Sequence, residues 1–196
     1  KICLIAKLLE ITIENILPKI TSINNTLVKR FRSLKKTSNL KDKDYFCIEG
    51  THLMEELLKS GNHPTSILAT EKWLNKNKNL YQKIKKSSIT VVSEEVLTSA
   101  VSTKNTNGVA ALVEISSILN RNINNEDDFI LVLDRIQDPG NMGNLFRTAL
   151  AAGVDKVLLA GGANPLGQKV LRASCGAVFH LPFQRFEGEE QEIINS

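Results

Sequence analysis

Residues 129–153, FILVLDRIQDPGNMGNLFRTALAAG, limit the possible fold more than any other stretch of the chain. Phe129 to Leu133 is an unbroken apolar run of strand length, which predicts a buried strand. Asp138, Pro139 and Gly140 are turn formers, so Asp134 to Gly140 reads as a tight polar loop. Asn141 stands where a helix N-cap belongs. Leu145, Ala149 and Ala152 follow at helical spacing, with Phe146 and Leu150 widening the stripe, and Gly153 supplies a C-terminal stop. Val154 to Leu159 is a second apolar run. The unit is strand–loop–helix–strand, with polar residues gathered at the carboxyl end of the first strand. Ligands of open parallel sheets bind at that end.

The rest of the chain repeats the alternation. Residues 2–17 carry Ile2, Ile5, Leu9, Ile13 and Ile16 at helical steps, and Pro18 ends that helix, so residues 1–19 read as a leader helix. Strands are expected at Tyr45 to Ile48, Pro64 to Ala69, Ile89 to Val92 and Gly108 to Ile115. Helices are expected over residues 51–60, from Trp73 to Ile84, and from Glu94 to Ala100 with Ser93 as N-cap. This pattern implies a small α/β/α sandwich over residues 20–115. Residues 116–128, SSILNRNINNEDD, read as a linker. In the last part, 129–196, residues 166–174 predict a helix with Leu166, Val170 and Leu171 inward. Gly176 to Phe183 predicts a strand, with His180 facing solvent or a neighbour.

Charge is distributed unevenly. The net charge is only +4, yet residues 19–43 hold eight Lys or Arg against Asp42 alone. Leu27, Phe31 and Leu34 share one helix face, while Lys29, Arg32 and Lys36 share another. Read by itself, this segment suits a solvated charged face. It also suits a phosphate backbone, with Lys29, Arg30, Arg32, Lys35 and Lys36 as the contacts. Lys72, Lys76, Lys78, Lys83, Lys85 and Lys86 form a second cationic region.

Other chemistries find no support. Cys3, Cys47 and Cys175 are odd in number and widely spaced, which fits a reducing cytosol and argues against a disulfide framework or zinc. His52, His63 and His180 share no ligand spacing with them, so no metal is expected. Gly162 to Lys169 nearly spells a phosphate loop, but Gln168 stands where its lysine belongs. The apolar start is interrupted by Lys7, Glu10 and Glu14, too often for a membrane span.

The spacing Asp134, Asp138, Pro139, Asn141, Gly143, Arg147, Thr148, Ala149, Gly153 resembles the first signature of the SpoU-type RNA ribose 2′-O-methyltransferases, in the knotted SPOUT superfamily. NNTLVKRFRSLKK resembles the opening of that family's substrate-binding domain, and VSTKNTNGVAALV its end, with Asn107 where many relatives carry Gln. KVLRASCGAVFHLPF continues the resemblance at Lys169, Arg172, Ala173, Ser174, Gly176 and Pro182. The resemblance implies an α/β protein: a small α/β/α substrate-binding domain followed by the first half of an α/β knot with a mainly parallel sheet. It implies methyl transfer from S-adenosylmethionine to a ribose 2′-OH of rRNA or tRNA, in the cytoplasm. It assigns activation of the 2′-OH to Arg147 and ordering of the site to Asn141, and it implies a homodimer for the intact enzyme. Arginine is not deprotonated in proteins, so Arg147 is expected to polarise or position the hydroxyl. The loop at the helix start is expected to offer backbone N–H groups to a phosphate.

The family's later Gly-Asn-Glu and Ser-Leu-Asn signatures, which build the donor pocket, do not occur before Ser196. Cofactor-binding residues are therefore unassigned, and the chain is expected to be an incomplete form of the enzyme. The other reading is a non-catalytic RNA-binding protein on a SPOUT remnant. An open reading frame continuing into those signatures supports the enzyme; a stop codon supports the binder. These 196 residues are expected to bind S-adenosylmethionine weakly or not at all in calorimetry, and tight binding would refute that expectation.

Overall fold

The computed structural model describes residues 17–36, 44–84, 86–103, 107–119 and 129–186. Its first sheet contains β1 (Lys19–Ile20), β2 (Tyr45–Glu49), β3 (Ser66–Ala69), β4 (Ser88–Val92) and β5 (Val109–Glu114), in the order β1-β4-β3-β5-β2. β1, β4 and β3 run parallel, and β5 is antiparallel to both β3 and β2. Side-chain alternation then builds two cores from one sheet. On β2, Cys47 joins the cluster under α1 (Thr26–Ser33) and α5 (Glu94–Ala100), where Val28, Phe31, Leu34, Val96 and Leu97 pack. Phe46 and Ile48 face the other way, onto α2 (Thr51–Lys59), α3 (Glu71–Lys76) and α4 (Lys78–Ile84). The expected α/β/α layering is present. Burial pushes the Cys47 thiol up, so it packs as an apolar group.

The second sheet is β6 (Ile130–Asp134), β7 (Lys156–Ala160) and β8 (Phe183–Phe186), all parallel, in that order. Helix α7 (Pro139–Ala151) joins β6 to β7. Its stop is as expected: Gly153 takes φ +75°, and the Val154 N–H reaches back to the Ala149 carbonyl. Helix α8 (Gln168–Ala173) and a 3-10 turn, Ala177–Phe179, lead into β8.

Several expectations need correction. Lys19 lies in β1, not in a leader helix, and residues 1–16 fall outside the described residues. The helix expected from Trp73 to Ile84 breaks at Asn77, whose side chain and N–H both donate to the Trp73 carbonyl. Residues 116–119 of the expected linker continue a short helix, α6 (Ile115–Leu119), because Ile118 is buried; 120–128 lie outside the described residues. β6 is not buried: Ile130 and Val132 are 43% and 50% exposed, and Leu133 alone of its residues is fully inside. The expected strand 176–183 is a turn at its start, since Gly176 (φ +83°) and Cys175 (φ 51°) reverse the chain there.

That turn has a purpose in the packing. A Cβ on Gly176 would sit 2.7 Å from the Glu56 Cβ, so the turn and α2 meet at closest approach. The Phe46 and Phe179 rings lie 6.2 Å apart, and His180 Nε2 stands 2.9 Å from Glu56 Oε2. His180 is thus a hydrogen-bonding partner of Glu56 after a turn, not a strand residue. Lys59, then His180, hold the Glu56 carboxyl below the usual range against the opposing effect of burial. One continuous apolar cluster therefore runs from Trp73 through Phe46 and Phe179 to Phe146. Phe179→Ala is expected to cost about 3–5 kcal/mol. It should lower the urea midpoint reported by Trp73 fluorescence as much as that reported by far-UV circular dichroism. An unchanged Trp73 transition would show that the two sheets unfold independently.

Candidate active site

The loop from Asp134 to Asp138 leaves the carboxyl end of β6 and turns into α7. The N-cap of α7 is Asp138, not Asn141: its Oδ1 accepts the Asn141 N–H at 2.8 Å, and Pro139 occupies the first helical position. Asp-Pro at cap and N1 is the stronger local signal, because proline is pre-organised for that position and has no N–H to leave unpaired. The cap also changes the chemistry expected there. Pro139 has no N–H, Asn141 donates to the Asp138 carboxylate, and Met142 donates to the Asp138 carbonyl. A carboxylate already sits at the positive end of the helix, so this turn is poorly placed to cradle a phosphate through its backbone.

Arg147 lies six residues beyond Asn141, about 9 Å along the axis. Helical side chains lean toward the N-terminus, so its guanidinium leans back toward the turn. Both Arg147 and Asn141 are exposed on α7. Among the described residues, no hydrogen bond or ion pair ties down Arg147. The buried face of α7 carries Met142, Gly143, Phe146 and Ala149, with Phe146 edge-on to Phe183 at 5.7 Å. Leu150 and Ala152, expected on that stripe, are exposed instead.

Gly143 sets the position of this helix. A Cβ there would meet the Ala173 Cβ at 2.5 Å and the Val170 carbonyl at 2.8 Å, so α7 touches the backbone of α8. The rim around the site is laced together. Ala163 N–H donates to the Ile136 carbonyl at 2.8 Å, Arg135 N–H to the Ala160 carbonyl at 2.8 Å, and Arg185 Nη2 to the Gly162 carbonyl at 3.1 Å. Arg135, at φ 46°, pairs with Asp134 at 2.8 Å. The signature's first aspartate is thus an exposed ion-pair partner at the strand end. No group of metal-ligating residues occurs among the described residues.

The five candidate RNA contacts divide by what already holds them. Arg32 Nε and Lys35 Nζ donate to the Ser99 carbonyl at 3.1 and 2.8 Å, placing two cations at the C-terminal end of α5. Arg30 stacks on the Tyr45 ring at 4.4 Å. Lys29 is exposed. Lys36 ends the 3-10 turn after α1. Sequence reasoning passed over Glu49, whose buried carboxylate accepts from Ser102 and Thr103. No local pattern reveals it, since its partners lie more than fifty residues away and two strands intervene.

Comparison with known proteins agrees with this geometry. Residues 128–195 match the SpoU rRNA Methylase family, and residues 25–111 match the MRM3-like substrate binding domain. An uncharacterized tRNA/rRNA methyltransferase of Synechocystis is 38% identical over 171 residues, covering 86% of this chain. The chain spans 62% of that relative's length. A solved RNA 2′-O ribose methyltransferase superposes with a TM-score of 0.71 at 30% identity, covering 90% of this chain and 68% of its own. An AdoMet-bound rRNA methyltransferase from Sinorhizobium meliloti gives a TM-score of 0.74 at 25% identity, covering 91% of this chain and 67% of its own. Asp138→Ala is expected to lower stability by about 1 kcal/mol, and Asp138→Asn by less, since asparagine caps nearly as well. Urea titrations of the two variants check this, and equal losses would argue against the cap.

Proposed function

The chain belongs to the SpoU rRNA methylase family, and from that premise we propose that it serves ribose 2′-O-methylation of rRNA or tRNA. The observation that carries the reading is Arg147: an exposed guanidinium without a partner among the described residues, on the helix of the matched signature. The relatives' names, all methyltransferases, favour an enzyme over a binder that merely grips RNA.

A 2′-OH is a weak acid, and its oxygen gains negative charge as it attacks. A guanidinium beside it stabilises that charge and fixes the oxygen's position without itself giving up a proton. The proton leaves to another acceptor. Arg147 can also hold the adjacent phosphate with two parallel N–H donors, a task the Asp138-capped turn is poorly placed to share. Asn141, exposed at the third helical position, offers a carboxamide at the start of the helix, which suits an ordering role. Lys29 and Arg30 are better placed to meet a phosphate backbone than Arg32 and Lys35, which are already anchored at α5.

The proposed methyl donor is S-adenosylmethionine, by likeness to the AdoMet-bound relative. The described residues do not by themselves fit it. Part of the backbone of the loops after β6 and β7 is already bonded across them, Arg135 N–H to the Ala160 carbonyl and Ala163 N–H to the Ile136 carbonyl, and the polar side chains there, Asp134 with Arg135, pair with each other. The donor's contacts are therefore not assigned to residues of this chain. The homodimer implied by the resemblance gains some support from Phe129, Ile130, Val132 and Leu150, large apolar side chains left 38–51% exposed. No helix among the described residues is long and apolar enough to cross a membrane. The free thiols of Cys47 and Cys175 suit a reducing cytoplasm.

Arg147→Ala in the full-length protein is expected to lower methyl transfer by about 10²–10³-fold, the loss typical of an oxyanion donor. RNA affinity should stay largely intact, and Arg147→Lys should not restore the rate. Turnover equal to the parent's in a tritiated-methyl transfer assay would sink the assignment.

A further inference from the structure

The seam between the two sheets holds a cationic cluster that the proposed reaction does not use. Its centre is Glu49, at the end of β2, with a side chain only 3% exposed. Four donors fill the carboxylate: Ser102 N–H at 2.8 Å, Ser102 Oγ at 3.0 Å, Thr103 N–H at 3.1 Å and Thr103 Oγ1 at 2.9 Å. Arg172 arrives from the other sheet's helix α8. Its Nη1 donates to Ser102 Oγ at 3.3 Å and stands 3.6 Å from the carboxylate. The Arg172 side chain is 40% exposed. A guanidinium has five N–H donors, and the described contacts here use only one nitrogen.

Other cations crowd the same place. Lys35 and Arg32 are fixed on the Ser99 carbonyl, three residues before Ser102, and Lys35 lies within electrostatic reach of both Glu49 and Arg32. Lys169, exposed, precedes Arg172 by one helical step on α8. One buried carboxylate thus orients Arg172 and cannot neutralise the four cations. Such a surplus on an exposed rim attracts anions.

We propose that Arg172, with Lys169 one helical step before it, is a second contact for the RNA phosphate backbone, oriented by Glu49 across the seam. This rests on the RNA reading above. Its place gives it a use. Ala173, next to Arg172, is the residue against which Gly143 packs, and Arg147 lies one turn beyond Gly143 on α7. Both arginines ride on one tightly packed helix pair. A strand held at the seam is held in register with the reacting arginine. Phosphate contacts position a nucleic acid without reading its sequence, which is what a reaction on one chosen ribose requires.

The test is fluorescence anisotropy of a labelled RNA hairpin bound to the full-length protein, over about 50–200 mM salt. For Arg172→Gln and Lys169→Ala, the slope of log affinity against log salt should fall by about 0.7–0.9 each. Arg172→Lys should keep the parent slope. Lys169→Ala leaves every hydrogen bond of Glu49 in place, so a folding defect at the seam cannot decide the result. A purely structural Arg172 would lower the thermal midpoint and leave the slope unchanged, and that outcome overturns the proposal. So does an equal fall in Lys83→Ala, on α4. If the parent itself binds the hairpin without salt dependence, the RNA reading fails, and the seam with it.

Discussion

A Cβ on Gly143 would stand 2.5 Å from the Ala173 Cβ, closer than two carbon atoms tolerate. The absence of that atom lets α7 lie on the backbone of α8, and much else follows. Phe146, one turn on from Met142, reaches Phe183 on β8 and closes the core of the parallel sheet. The opposite side of α7 is left facing solvent with Asn141 and Arg147 on it. Helix α8, fixed in the same way, turns its own outer residues toward β2 and places Gln168 within hydrogen-bonding reach of the Cys47 carbonyl. The exposed side of α7 and the seam are thus two consequences of one close contact.

The seam joins the two sheets by mixed means. Apolar contact through Phe46 and Phe179 makes the cores continuous, while Glu56 with His180 and Glu49 with Arg172 add directed polar contacts. The polar pairs are partly exposed or already satisfied by hydrogen bonds, so their share of stability is modest beside the buried rings. Their contribution is orientation. Two α/β units joined by a linker would otherwise rotate against each other, and a substrate spanning both would have no fixed register.

Charge along the chain misleads when it is counted without geometry. Residues 19–43 look like a uniform basic strip, yet Arg32 and Lys35 are anchored on a carbonyl at the end of α5, and Arg30 lies flat on Tyr45. Conversely, Arg172 belongs to no basic run and gains its place only because a strand more than a hundred residues earlier supplies Glu49. The same holds at the start of α7, where the expected anion cradle contains an aspartate carboxylate that already accepts the Asn141 N–H.

What the sequence determined by itself is local. Helical and strand periods, the Gly153 stop, the Ser93 cap and the DPGN signature follow from side-chain spacing and turn chemistry within a few residues. They were enough for the layered α/β fold and the family, and for singling out Arg147 as a candidate. The turn at Cys175 and Gly176 and the pairing of His180 required more, because each meets Glu56, a neighbour distant in sequence. The tertiary structure alone decided which cations are free, which are anchored, and where Arg172 stands. Those outcomes depend on contacts between segments 50 to 120 residues apart, and no spacing rule along one segment encodes them.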